Sequence, residues 1–266
     1  MPYVFTNGIR LAYERSGRGE RVLLIMGSSA GGRVWTMHQT PALTLAGYQA
    51  ITFDNRGIPP SQVPPGKYSL ADMVADTKGL IEALDLPPCR MVGVSMGALI
   101  AQELAINWPH LVRCAVLIAT KARSDAARLA HAAAHRAMVA SGIEAPREYE
   151  AAMSAFQMLS PASLNDDQIA SMWLETFSLS ARKDTAQGQA WADTIDDRRE
   201  ALRSVTVPCR VIAFSDDLVT PPHLAAEVAE SIPDCDFIEI GSCGHFGYLE
   251  RPAEVNLAII EFLAKN

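Results

Sequence analysis

Ser95 stands between two glycines in Gly93-Val94-Ser95-Met96-Gly97, with the apolar run 89–92 before it and a largely apolar stretch after it. A serine hydroxyl is a poor nucleophile at neutral pH and needs a base within hydrogen-bond reach, itself oriented by a third group. Histidine suits the base because its pKa lies near working pH. A carboxylate on its other ring nitrogen fixes the tautomer and stabilises the imidazolium. Further along, the chain supplies an adjacent pair, Asp216-Asp217, and then His245 in Gly244-His245-Phe246-Gly247, each just after an apolar run of strand type. Ser95, one of the two aspartates and His245 make a set suited to acyl transfer.

The G-x-S-x-G spacing has its own physical content. A tight strand-to-helix turn that lifts the serine clear of a sheet strains its backbone, and the strain is tolerated only where the residues two before and two after lack bulky side chains. Gly93 and Gly97 meet that need. The turn aims the start of a helix, predicted over 98–107 and ended by Pro109, at whatever is bonded to Ser95. Free N–H groups and the helix dipole favour an oxyanion there.

The elements that must position these residues read as strands alternating with helices. Val4-Phe5 and 9–14 flank Asn7-Gly8, a strong hairpin signal. After a turn at 17–20 comes the buried strand 22–26 and the small-residue loop Gly27-Ser28-Ser29-Ala30-Gly31-Gly32. Strand 50–53 leads into Asp54-Asn55-Arg56-Gly57 and a proline-rich stretch, 59–66. Ser69 and Asp72 are spaced as a capping box, opening a helix with Leu70, Val74, Thr77, Ile81 and Leu84 on one face. Strands follow at 114–119, 209–214 and 237–240; a helix bearing Leu224, Val228 and Ile232 separates the last two, and a final helix is expected over 252–264. Strands separated by helices imply a parallel sheet with right-handed crossovers. Loops at the carboxyl ends of such strands face the ligand crevice, which puts 27–32 beside Ser95.

Between 120 and 204 the pattern turns Ala- and Met-rich and helical, with helices expected near 124–140, 148–159, 166–177 and 186–193 and breaks at Ser141-Gly142, Ser160-Pro161 and Gly188. This predicts a helical cap, 120–204, inserted into an α/β core of 1–119 and 205–266. Its large apolar residues are Met138, Met153, Phe156, Met158, Met172, Trp173, Phe177 and Trp191. As a group they could line a hydrophobic pocket, methionines being adaptable packing groups. Singly, each is expected to hold the cap together or dock it on the core, and no one of them is assigned to substrate.

Composition narrows the partner. At 266 residues the chain fits one α/β domain with an insertion. A formal charge of -7 with no offsetting basic run argues against nucleic acid and against an anionic membrane surface, so the expected partner is a small molecule. No run approaches the roughly 18 to 20 apolar residues of a membrane span. Residues 1–8 show neither the basic region nor the apolar stretch of a signal peptide. The 5 cysteines are scattered, without a C-x-x-C pair, and suggest neither a disulfide framework nor a zinc site. A cytoplasmic location is expected. His131 and His135 have zinc-motif spacing, but position 132 is alanine and no third ligand is apparent. His38, His110 and His223 have no partner suggested by the sequence, and no metal or cofactor is expected.

From Val22 to the C-terminus, interrupted by the cap, the chain resembles the α/β-hydrolase superfamily, in the capped branch that includes esterases, lactonases, C–C bond hydrolases and cofactor-free haloperoxidases. Beside the elbow, the matching pieces are Asp54-Asn55-Arg56-Gly57, Asp217-Leu218-Val219-Thr220-Pro221, and Gly244-His245-Phe246 running on to Leu249-Glu250-Arg251-Pro252. The wording of 53–61 and 219–224 is similar to actinobacterial members. The resemblance implies the α/β-hydrolase fold and the chain order Ser95, Asp217, His245. It selects Asp217 because Pro221 stands four residues beyond, leaving Asp216 as a turn residue, and it selects His245 from its glycine-flanked loop. It also implies an oxyanion hole made by the backbone N–H groups of Met96 and Ser28. Two departures stand out: Met26-Gly27 replaces the usual His-Gly, removing a side chain that braces the loop, and Pro59 replaces a glycine.

The expected activity is hydrolysis of an ester, thioester or lactone of a small, largely apolar substrate through an acyl-enzyme, in a secondary-metabolic setting. The alternatives are a lyase, cyclase or haloperoxidase-like enzyme on the same fold, and a non-catalytic ligand receptor. Serine at the elbow disfavours the aspartate-based epoxide hydrolases and haloalkane dehalogenases.

Overall fold

The computed structural model describes residues 1–86, 88–180, 187–192 and 194–266. Strands β1 (Tyr3–Thr6) and β2 (Ile9–Gly17) form the N-terminal antiparallel hairpin. Asn7 and Gly8 both take positive φ, 46° and 75°, the conformation that a two-residue turn needs to match strand twist. The chain continues through β3 (Glu20–Ile25), a 3-10 turn (Gly32–Met37), α1 (Gln39–Leu45), β4 (Tyr48–Phe53), α2 (Leu70–Ala83), β5 (Cys89–Val94), α3 (Met96–Asn107) and β6 (Val112–Ile118). Next come α4 (Ala126–Ser141), α5 (Arg147–Met158), α6 (Pro161–Leu164), α7 (Asp167–Ser180), a 3-10 turn (Gln187–Trp191) and α8 (Arg199–Leu202). Then β7 (Cys209–Phe214), α9 (Pro222–Ser231), β8 (Cys235–Ile240), α10 (Gly247–Glu250) and α11 (Pro252–Lys265) complete it.

The eight strands form one sheet in the order β1-β2-β4-β3-β5-β6-β7-β8, parallel from β4 to β8, with the hairpin antiparallel at one edge. Successive side chains of a strand point to opposite faces, so the sheet needs apolar cover on both sides. Leu23, Ile25, Met91, Leu117 and Val211 pack with residues of α2, α3 and α9 on one face. Val22, Leu24, Val92, Val116 and Ile212 pack with α11 on the other. All six residues of β5 and of β7 are buried, which makes the ends of these strands rigid platforms.

The capping box at the start of α2 is present: the Ser69 hydroxyl accepts the Asp72 N–H at 3.1 Å, and the Asp72 carboxylate accepts the Ser69 N–H at 2.9 Å. Helix α1 carries no such signal. It is seven residues long, its N-cap His38 makes no side-chain cap bond, and no capping pattern announces it.

Strands β6 and β7 are neighbours although α4 to α8 lie between them in the chain. Of the helices expected in this stretch, three correspond to α4, α5 and α7. The fourth is different: near 186–193 the described part is a 3-10 turn, and positions 186 and 193 lie outside the described residues. Gly188 explains the short turn, since its carbonyl accepts the Tyr68 N–H at 2.9 Å and a β-carbon there would meet the Tyr68 ring at 2.5 Å. Among the large apolar residues of the insertion, Trp173 is buried, whereas Met138, Met153, Phe156 and Met172 are exposed. Among the described residues, no helix is long and apolar enough to cross a membrane, and the five cysteines are free.

Candidate active site

Ser95 sits at the junction of β5 and α3 with φ 55° and ψ -122°, a strained conformation for a residue with a side chain. The surroundings hold it there. Its N–H donates to the Ile118 carbonyl at the end of the neighbouring β6, and its carbonyl accepts the Ala98 N–H, both at 2.9 Å. A β-carbon on Gly93 would lie 2.4 Å from the Gly97 oxygen, and one on Gly97 would lie 2.1 Å from the Ile25 oxygen. The two glycines are therefore required by backbone packing against β3 and α3.

Asp217 follows β7 and His245 follows β8, at the same carboxyl end of the sheet as Ser95. His245 Nδ1 and Asp217 Oδ2 are 2.8 Å apart. Asp217 Oδ1 accepts the N–H groups of Val219 at 2.7 Å and Thr220 at 2.8 Å, while Oδ2 also accepts the Thr220 hydroxyl at 2.8 Å. Both residues are buried, with exposures of 2% for Asp217 and 5% for His245. Burial alone would raise the Asp217 carboxyl, but the charge and hydrogen bond of His245 with the Thr220 donors outweigh it and hold it below the usual carboxylate range. With Nδ1 committed to a carboxylate, Nε2 is the nitrogen left to take a proton.

The two adjacent aspartates have different partners. Asp216 donates its N–H to the Cys243 carbonyl at 3.0 Å and its carboxylate accepts the Ser215 hydroxyl at 3.2 Å, so it serves the turn. Cys243 is buried, with its thiol pushed up to about 12 by desolvation, and fills space beside His245.

The loop after β3 lies against the elbow. A β-carbon on Gly27 would approach Ser95 Cβ to 3.1 Å and its hydroxyl oxygen to 3.7 Å. Ser28 reaches the first residue of α3, its hydroxyl 3.4 Å from Met96 Sδ. Met96 opens that helix, and N–H groups of a first turn have no intrahelical acceptor. Among the described residues the Ser28 N–H has no protein acceptor either. Ser28 and Met96, the residues expected to supply the oxyanion donors, thus lie side by side next to the elbow.

Two residues of this region, Thr220 and Glu250, stand in the matching pieces without a role expected of them. Thr220 anchors Asp217 as described; its signal is the Asp-x-x-Thr spacing, which lets an aspartate side chain gather the N–H groups of the turn that follows. Glu250 secures the histidine loop, its Oε2 accepting the Gly244 N–H at 2.6 Å and its Oε1 accepting the Ser160 N–H at 3.0 Å and hydroxyl at 2.7 Å. The Phe246 N–H donates to the Met158 carbonyl at 2.9 Å. Phe246 also meets Trp173 and Phe177 of α7, with ring centroids 5.9 and 5.8 Å apart. The insertion therefore packs directly on the segment that carries His245.

The remaining histidines stand apart from this cluster. His131 is exposed, with Nε2 3.0 Å from the Gln157 amide nitrogen, and His223 Nε2 lies 3.9 Å from Asp125. Among the described residues no group of three or more His, Cys, Asp or Glu side chains is placed to hold a metal ion.

Residues 20–252 match the α/β-hydrolase fold family. The chain is 43% identical to a Mycobacterium tuberculosis protein provisionally named non-heme bromoperoxidase BpoC, over 96% of this chain and 98% of that one. The crystal structure of BpoC superimposes with a TM-score of 0.93 at 42% identity, covering 96% of each chain. A protein of Azorhizobium caulinodans provisionally named carbamate hydrolase RutD is 29% identical over 98% of both chains. 3-Oxoadipate enol-lactonase 2 of Acinetobacter baylyi is 27% identical over 94% of this chain and 92% of its own. Eight strands in this order, the strained serine at the end of β5, and matches spanning nearly the whole chain lead to one conclusion: the chain belongs to the α/β-hydrolase family.

Proposed function

We propose that the protein is a serine hydrolase that cleaves an ester, thioester or lactone of a small, largely apolar substrate through an acyl-enzyme. The observation that carries this is the 2.8 Å contact between His245 Nδ1 and buried Asp217, at the sheet end where Ser95 is held with φ 55° at the start of α3. In the reaction Ser95 Oγ forms a bond to the substrate carbonyl carbon while its proton passes to His245 Nε2. The oxyanion takes the N–H groups of Met96 and Ser28. His245 then returns the proton to the departing alcohol, thiol or lactone oxygen, leaving the acyl group on Ser95. Water, deprotonated by His245, attacks the acyl carbon; the carboxylic acid leaves and Ser95 recovers its proton. Asp217 stays ionised throughout and stabilises the imidazolium. The aromatic rings of Trp173, Phe177 and Phe246 next to His245 favour an apolar acyl or alcohol group.

A second reading has the 43% identical BpoC, named for bromoperoxidase activity, in its favour. In it, hydrogen peroxide replaces water in attacking the acyl-enzyme, and the peroxy acid released oxidises bromide. A lyase or cyclase would keep His245 and dispense with the acyl-enzyme.

Intact mass after fluorophosphonate treatment tests the first reading. One adduct on the wild type, absent from Ser95→Ala and slow to form on His245→Ala, supports an activated serine. Folded wild type without an adduct would exclude it. Loss of turnover in His245→Ala with activity retained in Ser95→Ala would point to the lyase class, and bromination dependent on peroxide and a carboxylic acid would point to the peroxidase reading.

A further inference from the structure

We infer that Gln189, carried on the inserted segment, is the positioning residue that sets the oxyanion-binding loop; the inference rests on the acyl-enzyme reading above. Gln189 is only 1% exposed, and both ends of its side-chain amide are used on backbone. Its oxygen accepts the Ser29 N–H at 2.8 Å, and its nitrogen donates to the Arg56 carbonyl at 2.8 Å. Both anchors are firm. The Gln189 carbonyl accepts the Ala192 N–H at 2.9 Å, and the neighbouring Gly188 carbonyl accepts the Tyr68 N–H at 2.9 Å. On the other side the Arg56 guanidinium is forked onto buried Asp76 at 2.6 and 2.7 Å, so the carbonyl that holds the Gln189 amide belongs to a fixed residue.

The bond matters because of where Ser29 is. Ser29 has φ 62°, a left-handed conformation that a residue with a side chain adopts only under constraint. Its N–H belongs to the Ser28–Ser29 peptide plane, so holding it fixes the carbonyl side of Ser28 and narrows the backbone freedom left to Ser28. Using the Ser29 N–H on Gln189 holds that plane, while the Ser28 N–H, in the peptide before it, has no protein acceptor among the described residues and the Ser28 hydroxyl lies 3.4 Å from Met96 Sδ. Asn55 secures the near end of the loop, donating to the Met26 carbonyl at 3.0 Å, and Asp54 secures the far end, accepting the Gly32 N–H at 2.8 Å. At position 26, where the family resemblance leads one to expect a bracing histidine, the chain has Met26, and Gln189 supplies a brace from the insertion instead. An oxyanion donor works only when aimed at the developing charge, and a misplacement of about 1 Å can cost about 10²-fold in rate.

The test compares wild type with Gln189→Met, which keeps length and removes both hydrogen bonds, using fluorophosphonate labelling, hydrolysis of a p-nitrophenyl ester and inhibition by a trifluoromethyl ketone. We expect labelling and kcat to fall about tenfold to a hundredfold with KM within about threefold, and the ketone to weaken in proportion to kcat/KM. Unchanged kcat, or a loss confined to KM, overturns the inference, since a merely structural residue would not separate the tetrahedral state from the ground state. If Gln189→Met does not fold, Gln189→Asn serves the same test, because it keeps a buried amide but draws it back by one methylene from Ser29. No adduct on the wild type overturns the acyl-enzyme reading and this inference with it. An adduct that forms at the wild-type rate in the folded variant overturns the inference alone.

Discussion

Asp217 Oδ2 receives two groups at the same distance, His245 Nδ1 and the Thr220 hydroxyl, each at 2.8 Å, and Thr220 Oγ1 is itself 3.4 Å from Nδ1. Thr220 therefore holds the same carboxylate oxygen that meets the imidazole. Thr220→Val keeps the shape and leaves one lone pair of a buried anion unsatisfied. Loss of a hydrogen bond to a charged group costs about 1.5–3 kcal/mol. The expected outcome is a destabilisation of that order in urea unfolding at pH 7, with kcat reduced and KM little changed.

The same carboxylate gives the acid branch of stability its sign. Its folded pKa is lowered, so its contribution is fully present above the unfolded value and is lost as pH falls through the folded one. The unfolded value is roughly 3.9. The deficit of Thr220→Val against wild type should therefore be constant from neutral pH down to about 4 and shrink below it. A deficit that grew on acidification would contradict a carboxylate stabilised in its ionised form.

Asp217→Asn probes the tautomer. An amide at this position must turn its NH₂ toward the Val219 and Thr220 N–H groups or toward His245 Nδ1, and the turn N–H groups, which cannot be reversed, take the oxygen. The NH₂ then faces Nδ1 and forces the proton onto Nε2, where it cannot accept one from Ser95. By analogy with other serine hydrolases kcat should fall by roughly 10⁴. Retention of the fluorophosphonate labelling rate would show that Asp217 does not orient the base.

What was legible in the sequence follows from the range of the forces involved. The elbow could be read because Gly93 and Gly97 answer steric demands within a few residues of Ser95, and the Asn7-Gly8 hairpin and the Ser69-Asp72 cap are equally local. Asp217 and His245 could be placed because each follows a run of strand type, and the resemblance chose Asp217 over Asp216. The braces could not be found that way. Gln189 meets Ser29 across 160 positions and Glu250 meets Ser160 across 90, and nothing in either local sequence announces the partner. Helical periodicity likewise placed Met153 and Met172 on helices without saying which face would meet the core, and both are exposed.

Steric demand at the elbow is directly testable. In Gly97→Ala the new methyl would sit 2.1 Å from the Ile25 carbonyl oxygen, a backbone atom of a buried residue that cannot swing aside. Overpacking of this kind typically costs about 1–3 kcal/mol. Gly241→Ala is the matched control, since a β-carbon there meets nothing within 4 Å. It should stay within about 0.5 kcal/mol of wild type in the same denaturant titration.

Glu250 carries the last prediction. Its Oε2 holds the Gly244 N–H, one residue before His245, and its Oε1 gathers the Ser160 N–H and the hydroxyls of Ser160 and Ser163. A hydroxyl can reverse its bond, but the N–H groups of Gly244 and Ser160 can only donate. In Glu250→Gln one of them must face an NH₂ whichever way the amide turns, so part of the tie between the insertion and the histidine loop is lost. The expected loss is about 1–3 kcal/mol in urea unfolding. Because Gly244 immediately precedes His245, the proposed base, kcat should fall by about threefold to tenfold while KM holds. A variant that lost stability with kcat intact would mean that Glu250 only fastens the insertion, and that His245 keeps its place through Asp217 and the Phe246 bond to Met158 alone.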